Sequence, residues 1–167
     1  MPIIAGNFET RISGGAANTV GNASLGGIKS STNASASIDA LFDPTSAAEA
    51  VAGTVEYRCV YLHNANAADT MTNLVAFVSA NTPLAGTTID IGVGTAAINA
   101  TEQTIVNETT APTGVVFSAP IDGNTGLVMG NIPFGQHKSL WLRRTVTAGS
   151  GSSPNDTFTL GYRCETA

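Results

Sequence analysis

The sequence predicts an all-β protein: an antiparallel β-sandwich, jelly-roll-like, with an extended N-terminal arm and one short helix. Three observations carry this. Apolar residues alternate with a period of two in run after run from Thr54 onward. Asn, Gly and Pro clusters separate those runs at intervals of about 10–20 residues, as in sandwiches and barrels. No strand–helix–strand rhythm of the parallel α/β kind is present.

Residues 1–42 are read as the arm. Gly14-Gly15, Gly21 and Gly26-Gly27 punctuate them, and Ser30 to Ser35 is nearly low in complexity. Ile3, Ile4, Phe8, Ile12, Leu25 and Ile28 are spaced too widely for a core of their own, so they are read as anchors that pack on something else. Ser37 to Phe42 alternates, as a short strand or as an apolar lead-in to a helix. Residues 43–53 are that helix. Asp43 is the expected N-cap, Pro44 suits the first helical position, and Gly53 is the stop.

Residues 54–167 are the expected sandwich. In the first strand Val55, Tyr57, Cys59 and Tyr61 share one face, and Glu56, Arg58, Val60 and Leu62 the other. The second face is charged at its start and apolar at its end. That fits a sheet end leaving the core, or a strand with a neighbour on both faces. Thr72–Ser79 and Thr87–Val93 follow as a hairpin or a neighbouring pair. Residues 95–112 are a polar excursion in which Thr104 to Val106 pairs briefly, and Thr113–Ala119 is a further strand. Asp122-Gly123-Asn124 is a turn before a short strand at Gly126–Met129, and Ile132 to Gly135 is a second turn. Gln136–Val146 is the longest late strand, with Leu140, Leu142, Lys138 and Arg144 opposite Trp141, His137, Ser139 and Arg143. Residues 148–155 are a loop, and Asp156–Cys164 closes the fold.

Composition narrows the function. Only 11% of residues are charged, against roughly 25% in ordinary soluble domains. A surface so poor in charge suits contact with other protein, or an extracellular β-protein. The net charge of −5 and just 7 Lys plus Arg argue against nucleic-acid binding. No stretch approaches the roughly 20 apolar residues of a membrane helix. The first residues lack the basic and apolar regions of a secretory leader, so synthesis and use from a cytoplasm are expected. Cys59 and Cys164 end similar tripeptides and would suit neighbouring strands. Without a leader, buried free thiols are favoured over a disulfide. The Asn-x-Ser/Thr sequences at Asn22, Asn33, Asn99, Asn107 and Asn155 are what chance gives in a chain of this composition.

No catalytic constellation is legible. His63 and His137 have no Cys, Asp or Glu at ligand spacing, so no metal or cofactor is expected. No Gly-x-Ser-x-Gly elbow is present. Asp122 to Gly126 lacks the closing Glu of a calcium loop and reads as a turn. Arg143 and Arg144 are of the type that docks a partner carboxylate, or equally one of them caps the solvated side of a strand, and Trp141 is read as core. The expected partner-binding residues are therefore Ile3, Ile4, Phe8, Ile12, Leu25, Ile28, Arg143 and Arg144.

Several patches bear on identity. They are Ser24-Leu25-Gly26-Gly27, Leu41-Phe42-Asp43, Glu49 to Cys59, Ser79 to Pro83, Ile89-Asp90-Ile91-Gly92, Ile132 to His137 and Trp141-Leu142-Arg143-Arg144. From about Gly14 onward the chain resembles a family of virion structural proteins of tailed bacteriophages. The resemblance implies a β-rich, non-enzymatic particle component, assembled in the host bacterial cytoplasm and resident in the virion. The chain ends soon after its last strand, which points to a small repeated subunit. A capsid decoration (cement) protein is expected, binding the major capsid protein or another virion protein as a homo-oligomer, with a trimer fitting a capsid lattice. The alternatives are a tail, neck or baseplate component, or a carbohydrate-binding sandwich for host adhesion. The last would need an aromatic platform, and aromatic residues are only 6% of the chain.

Overall fold

A computed structural model describes residues 3–35, 40–82, 86–151 and 157–166. In chain order the elements are β1 (Phe8–Ile12), β2 (Gly26–Gly27), α1 (Ala47–Ala52), β3 (Thr54–Asn64), β4 (Met71–Ala80), β5 (Thr87–Val93), β6 (Glu102–Thr104), β7 (Leu127–Ile132), β8 (His137–Val146) and β9 (Thr159–Thr166). All pairings are antiparallel. One sheet has the order β1-β3-β8-β5 and a second the order β7-β4-β9. The protein is an all-β sandwich, as its alternating pattern predicts.

The main core lies between these sheets. Ile12, Val60, Leu62, Ile89, Ile91, Leu140 and Leu142 come from the four-stranded sheet. Met71, Leu74, Ala76, Val78, Met129 and Ile132 face them from the three-stranded sheet. The period of two places the first set on one face; in the second, register shifts in β4 and positive φ at Asn73 and Gly130 bring Met71 and Ile132 to the same face as Leu74, Ala76, Val78 and Met129.

The four-stranded sheet is buried on its other face too. Cys59, Tyr61 and Trp141 lie there under Ile105, with Leu25, Tyr57, Val115 and Phe117 around them. The β2–β6 ribbon and the loops beside it form this third layer. Gly26 is bound to its place in it: φ is +95°, and a Cβ would collide with the Gln103 carbonyl. This layer explains why both faces of β3 read as interior.

The charged end of β3 stays inside. Glu56, Arg58 and Arg144 are all at most 2% exposed. Leu41 and Phe42 cover them, and both are core residues. The charge therefore marks a buried polar cluster, not an exit from the core.

Four expectations are corrected. The first 42 residues do not stand off as an arm: β1 is a strand of the main sheet, and residues 30–34 run along its outer edge. Ser30 donates its N–H to Ile12, and Ala34 to Thr10. Helix α1 is capped by Ser46, not Asp43. Ser46 Oγ accepts from the Glu49 N–H while Glu49 reaches back to the Ser46 N–H, a capping box. Gly53 ends it as expected, at φ +79°. β4 and β5 do not pair; the chain changes sheets between them, and Asn81 fixes the crossing with two side-chain hydrogen bonds to the Ile89 backbone, each 2.9 Å. Residues 113–119 form no strand. They make a single bridge, Ser118 to Ile91, and turn Val115 and Phe117 onto the outer cluster.

The brief pairing expected at Thr104 to Val106 falls at Glu102–Thr104, and residues 152–156 of the expected loop and last strand lie outside the described residues. Asp122 Oδ1 accepts from the Asn124 and Thr125 N–H groups, an Asx turn. Of the expected strand at 37–42, residues 37–39 lie outside the described residues.

Because β1, Ile12, Leu41 and Phe42 belong to the sandwich, a chain lacking residues 1–42 is expected not to fold. Circular dichroism and size exclusion will show a loss of cooperative unfolding, not a trimmed, native sandwich.

Candidate functional site

Arg143 and Arg144 are neighbours in β8 and therefore point to opposite faces. Arg144 is the register partner of Glu56 and binds its carboxylate through Nε, at 3.0 Å, and Nη2. Arg58 donates from Nε to the Leu41 carbonyl at 2.8 Å and from Nη2 to Glu108 at 2.5 Å. The guanidinium carbons of Arg58 and Arg144 lie 5.1 and 4.9 Å from the Phe42 ring centroid, within the range of cation–π attraction. Burial pushes the Glu56 carboxyl above its ordinary value, and Arg144 opposes that shift. Arg144 is thus committed inside the chain and is not a docking residue. Arg143 is half-buried, bound to Asp90 through Nε at 3.0 Å and Nη2 at 2.6 Å, and stacked over Phe117.

The apolar anchors separate as well. Ile12 is buried, and Leu25 packs on the outer cluster. Ile28 and Ile4 are exposed, at 56% and 62%. Ile3, Ile4 and Phe8 are brought together with Thr10, Leu160, Tyr162 and Cys164 around a groove of about 580 Å³. This groove is the open side of the sandwich between β1 and β9. Phe8 stacks on Tyr162 across it at 6.1 Å, and Thr10 Oγ1 lies 3.0 Å from the Tyr162 hydroxyl. A smaller pocket of about 170 Å³ continues it toward Leu41 and Phe158. Among the described residues the outer edge of β9 pairs with no strand. The β9 half of this groove was legible only as one face of the last strand, since Phe158, Leu160, Tyr162 and Cys164 alternate along it.

Sequence reasoning also missed the most exposed aliphatic side chains. Val106 is 86% exposed and Val116 82%. Each is flanked by inward residues, Ile105 for the first and Val115 and Phe117 for the second. Both therefore stand on the outer layer, whose interior faces the sheet. Val51, Ile121 and Val128 are exposed to more than 70% elsewhere.

Cys59 and Cys164 are free thiols in different sheets. Burial pushes the Cys59 thiol well up, so it is poorly nucleophilic in the closed fold. Among the described residues no group of three His, Cys, Asp or Glu side chains could hold a metal ion, and no helix is long and apolar enough to cross a membrane. Comparison with family models, curated proteins and solved structures found no match to this chain.

Removing one member of a buried ion pair leaves the other uncompensated, which costs about 3–5 kcal/mol. Glu56→Ala is expected to lose stability on that scale in urea denaturation. The double change Glu56→Leu with Arg144→Met is expected to recover most of the loss.

Proposed function

We propose that this protein is a non-enzymatic structural subunit of a tailed-phage particle, a capsid decoration (cement) protein that binds the major capsid protein lattice as a homo-oligomer. The observation that supports it best is the surface. Five aliphatic side chains (Val51, Val106, Val116, Ile121 and Val128) stand more than 70% exposed among the described residues, on a chain with 11% charged residues. Single exposed aliphatics are ordinary, but five of them on a chain with so few charged residues suit protein contact. The sequence patches that resemble phage virion proteins point the same way.

Attachment on this reading uses the exposed aliphatic side chains, with Ile4 and Ile28 from the first 42 residues among them. The unpaired edge of β9 offers main-chain groups to a partner strand. The net charge of −5 keeps the subunit off packaged nucleic acid.

Quantitative mass spectrometry of purified particles tests the reading, with the major capsid protein as the internal standard. Hundreds of copies per particle are expected. A few tens would move the protein to the neck, tail or baseplate, and absence from particles would overturn the proposal. In a particle-binding assay, Val106→Asp with Val116→Asp is expected to weaken attachment at least tenfold. Stability should change by no more than about 0.5 kcal/mol per site, as for surface positions generally.

A further inference from the structure

The two histidines of the chain are register partners. His63 in β3 lies opposite His137 in β8, and Glu9 in β1 lies opposite His63. All three project from the outer face of the four-stranded sheet, because they share the alternation of Tyr61 and Trp141. The Nδ1 atoms of both imidazoles are buried and have no hydrogen-bond partner. Of the five buried side-chain polar atoms left unpartnered among the described residues, four belong to this interface: these two, Ser24 Oγ and Trp141 Nε1. Each such atom gives up its hydrogen bonds to water on closing and regains none within the protein. The third layer is thus held less firmly than the main core, which contains none of them.

The charges around the pair are mostly of one sign. Arg11 from β1 and Lys29 from the segment after β2 both act on the imidazoles. Glu9 is the nearby acid, but Arg11 already binds it, through Nε at 3.0 Å and Nη2 at 2.5 Å. Lys138 in β8 donates to the Ala96 carbonyl. Glu102 in β6 is consumed by Ser139 Oγ and by the Ala96 and Gln103 N–H groups. Tyr61 ties the layer down: its hydroxyl donates to the Gly27 carbonyl at 2.5 Å and accepts from the Glu102 N–H at 2.9 Å. Its ring meets the His137 ring edge-on at 4.9 Å. A proton on either imidazole places a new positive charge beside Arg11 and Lys29, under a layer that both β2 and β6 must close.

We propose that the β2–β6 layer is an acid-released cover, shut while His63 and His137 are neutral and opened over Cys59, Tyr61 and Trp141 when they are protonated. The inference concerns this layer alone and stands whether or not the protein is a virion subunit.

Both groups bind protons more weakly in the closed fold than in an open one. Burial lowers His137 to about 4, with Lys29 and His63 adding to the effect. Burial and then Arg11 and Lys29 lower His63. A depressed value means that the closed state is fully favoured above the ordinary pKa of 6.5 and is lost as pH falls toward the closed-state value. Glu102 has the same sign but acts lower. Burial raises it, four hydrogen-bonding groups outweigh that, and its carboxyl ends below its ordinary 4.5. Between pH 6.5 and 5 the imidazoles are therefore the groups that drive opening.

The test is hydrogen exchange of the full chain across pH 7 to 4.5, corrected for intrinsic rates, with Trp141 emission recorded in parallel. The opening equilibrium of the β2 and β6 amides is expected to rise about tenfold or more per pH unit, since up to two protons are taken up. Trp141 emission should shift to the red while β4 and β7 amides stay protected. His63→Gln with His137→Gln should abolish the pH dependence between pH 6.5 and 5. Lys29→Gln, which removes one repelling charge and leaves both imidazoles, should move the midpoint to lower pH. Flat exchange in the native chain would overturn the proposal, as would loss of β2, β6, β4 and β7 protection in one transition. An unchanged pH dependence in both variants would do the same.

Discussion

The Phe42 ring lies beneath two buried guanidinium groups, and satisfying them constrains the sheet around them. Arg58 and Arg144 come from adjacent strands, β3 and β8, and both side chains are buried. Burying a charge is costly unless it is paired and hydrogen-bonded. Here Glu56, Glu108 and the Leu41 carbonyl supply the partners, and the ring supplies its negative face. Leu41 and Phe42 stay on the sheet, as do residues 30–34 along β1 at its edge.

A second constraint follows from the first sheet being covered twice. One face meets the three-stranded sheet mainly with aliphatic side chains, and its buried charges, Glu56, Arg58 and Arg144, are gathered at one end. The other face carries Trp141, Tyr61 and Cys59. Their cover is a two-stranded ribbon and loops, which bring few apolar side chains. Polar groups do the closing instead: Tyr61 spans from Gly27 to Glu102, and Glu102 gathers Ser139 and the backbone around it. Gly94 lies so close that a Cβ there would strike Ser139 Oγ and Glu102 Oε2. Hydrogen bonds in a buried site are directional and depend on protonation, whereas aliphatic packing is neither. The two layers therefore respond differently to the same change of solvent.

Much of the fold was legible because strand alternation is a local property. β3, β4, β5 and β8 lie within a few residues of their expected bounds. β1 and β2 were not seen, since FETRI and Gly26-Gly27 carry too few apolar residues to show a period. The strand expected at 113–119 looked regular, yet its apolar residues pack on a cluster beneath a loop and need no ladder. The candidate site was legible in part. Ile3, Ile4 and Phe8 do meet in one place, but nothing local ties them to Leu160 and Tyr162 of the last strand, which line the same groove. Arg144 looked like a surface cation because nothing local reveals that Glu56, 88 residues away, is its partner.

The sequence by itself determined the class of fold, the faces of its long strands and the low surface charge, because each depends on residue type and short spacing. Which strands lie side by side, which charges are buried and where the side of the sandwich stays open were decided by tertiary structure. β4 and β5 are consecutive and similar, and only packing across the sandwich separates them. His63 and His137 are 74 positions apart in number, and only the register of β3 on β8 makes them neighbours. The physical reason is the same in each case: alternation specifies a face but not a partner, and partners are chosen by which faces can exclude water together.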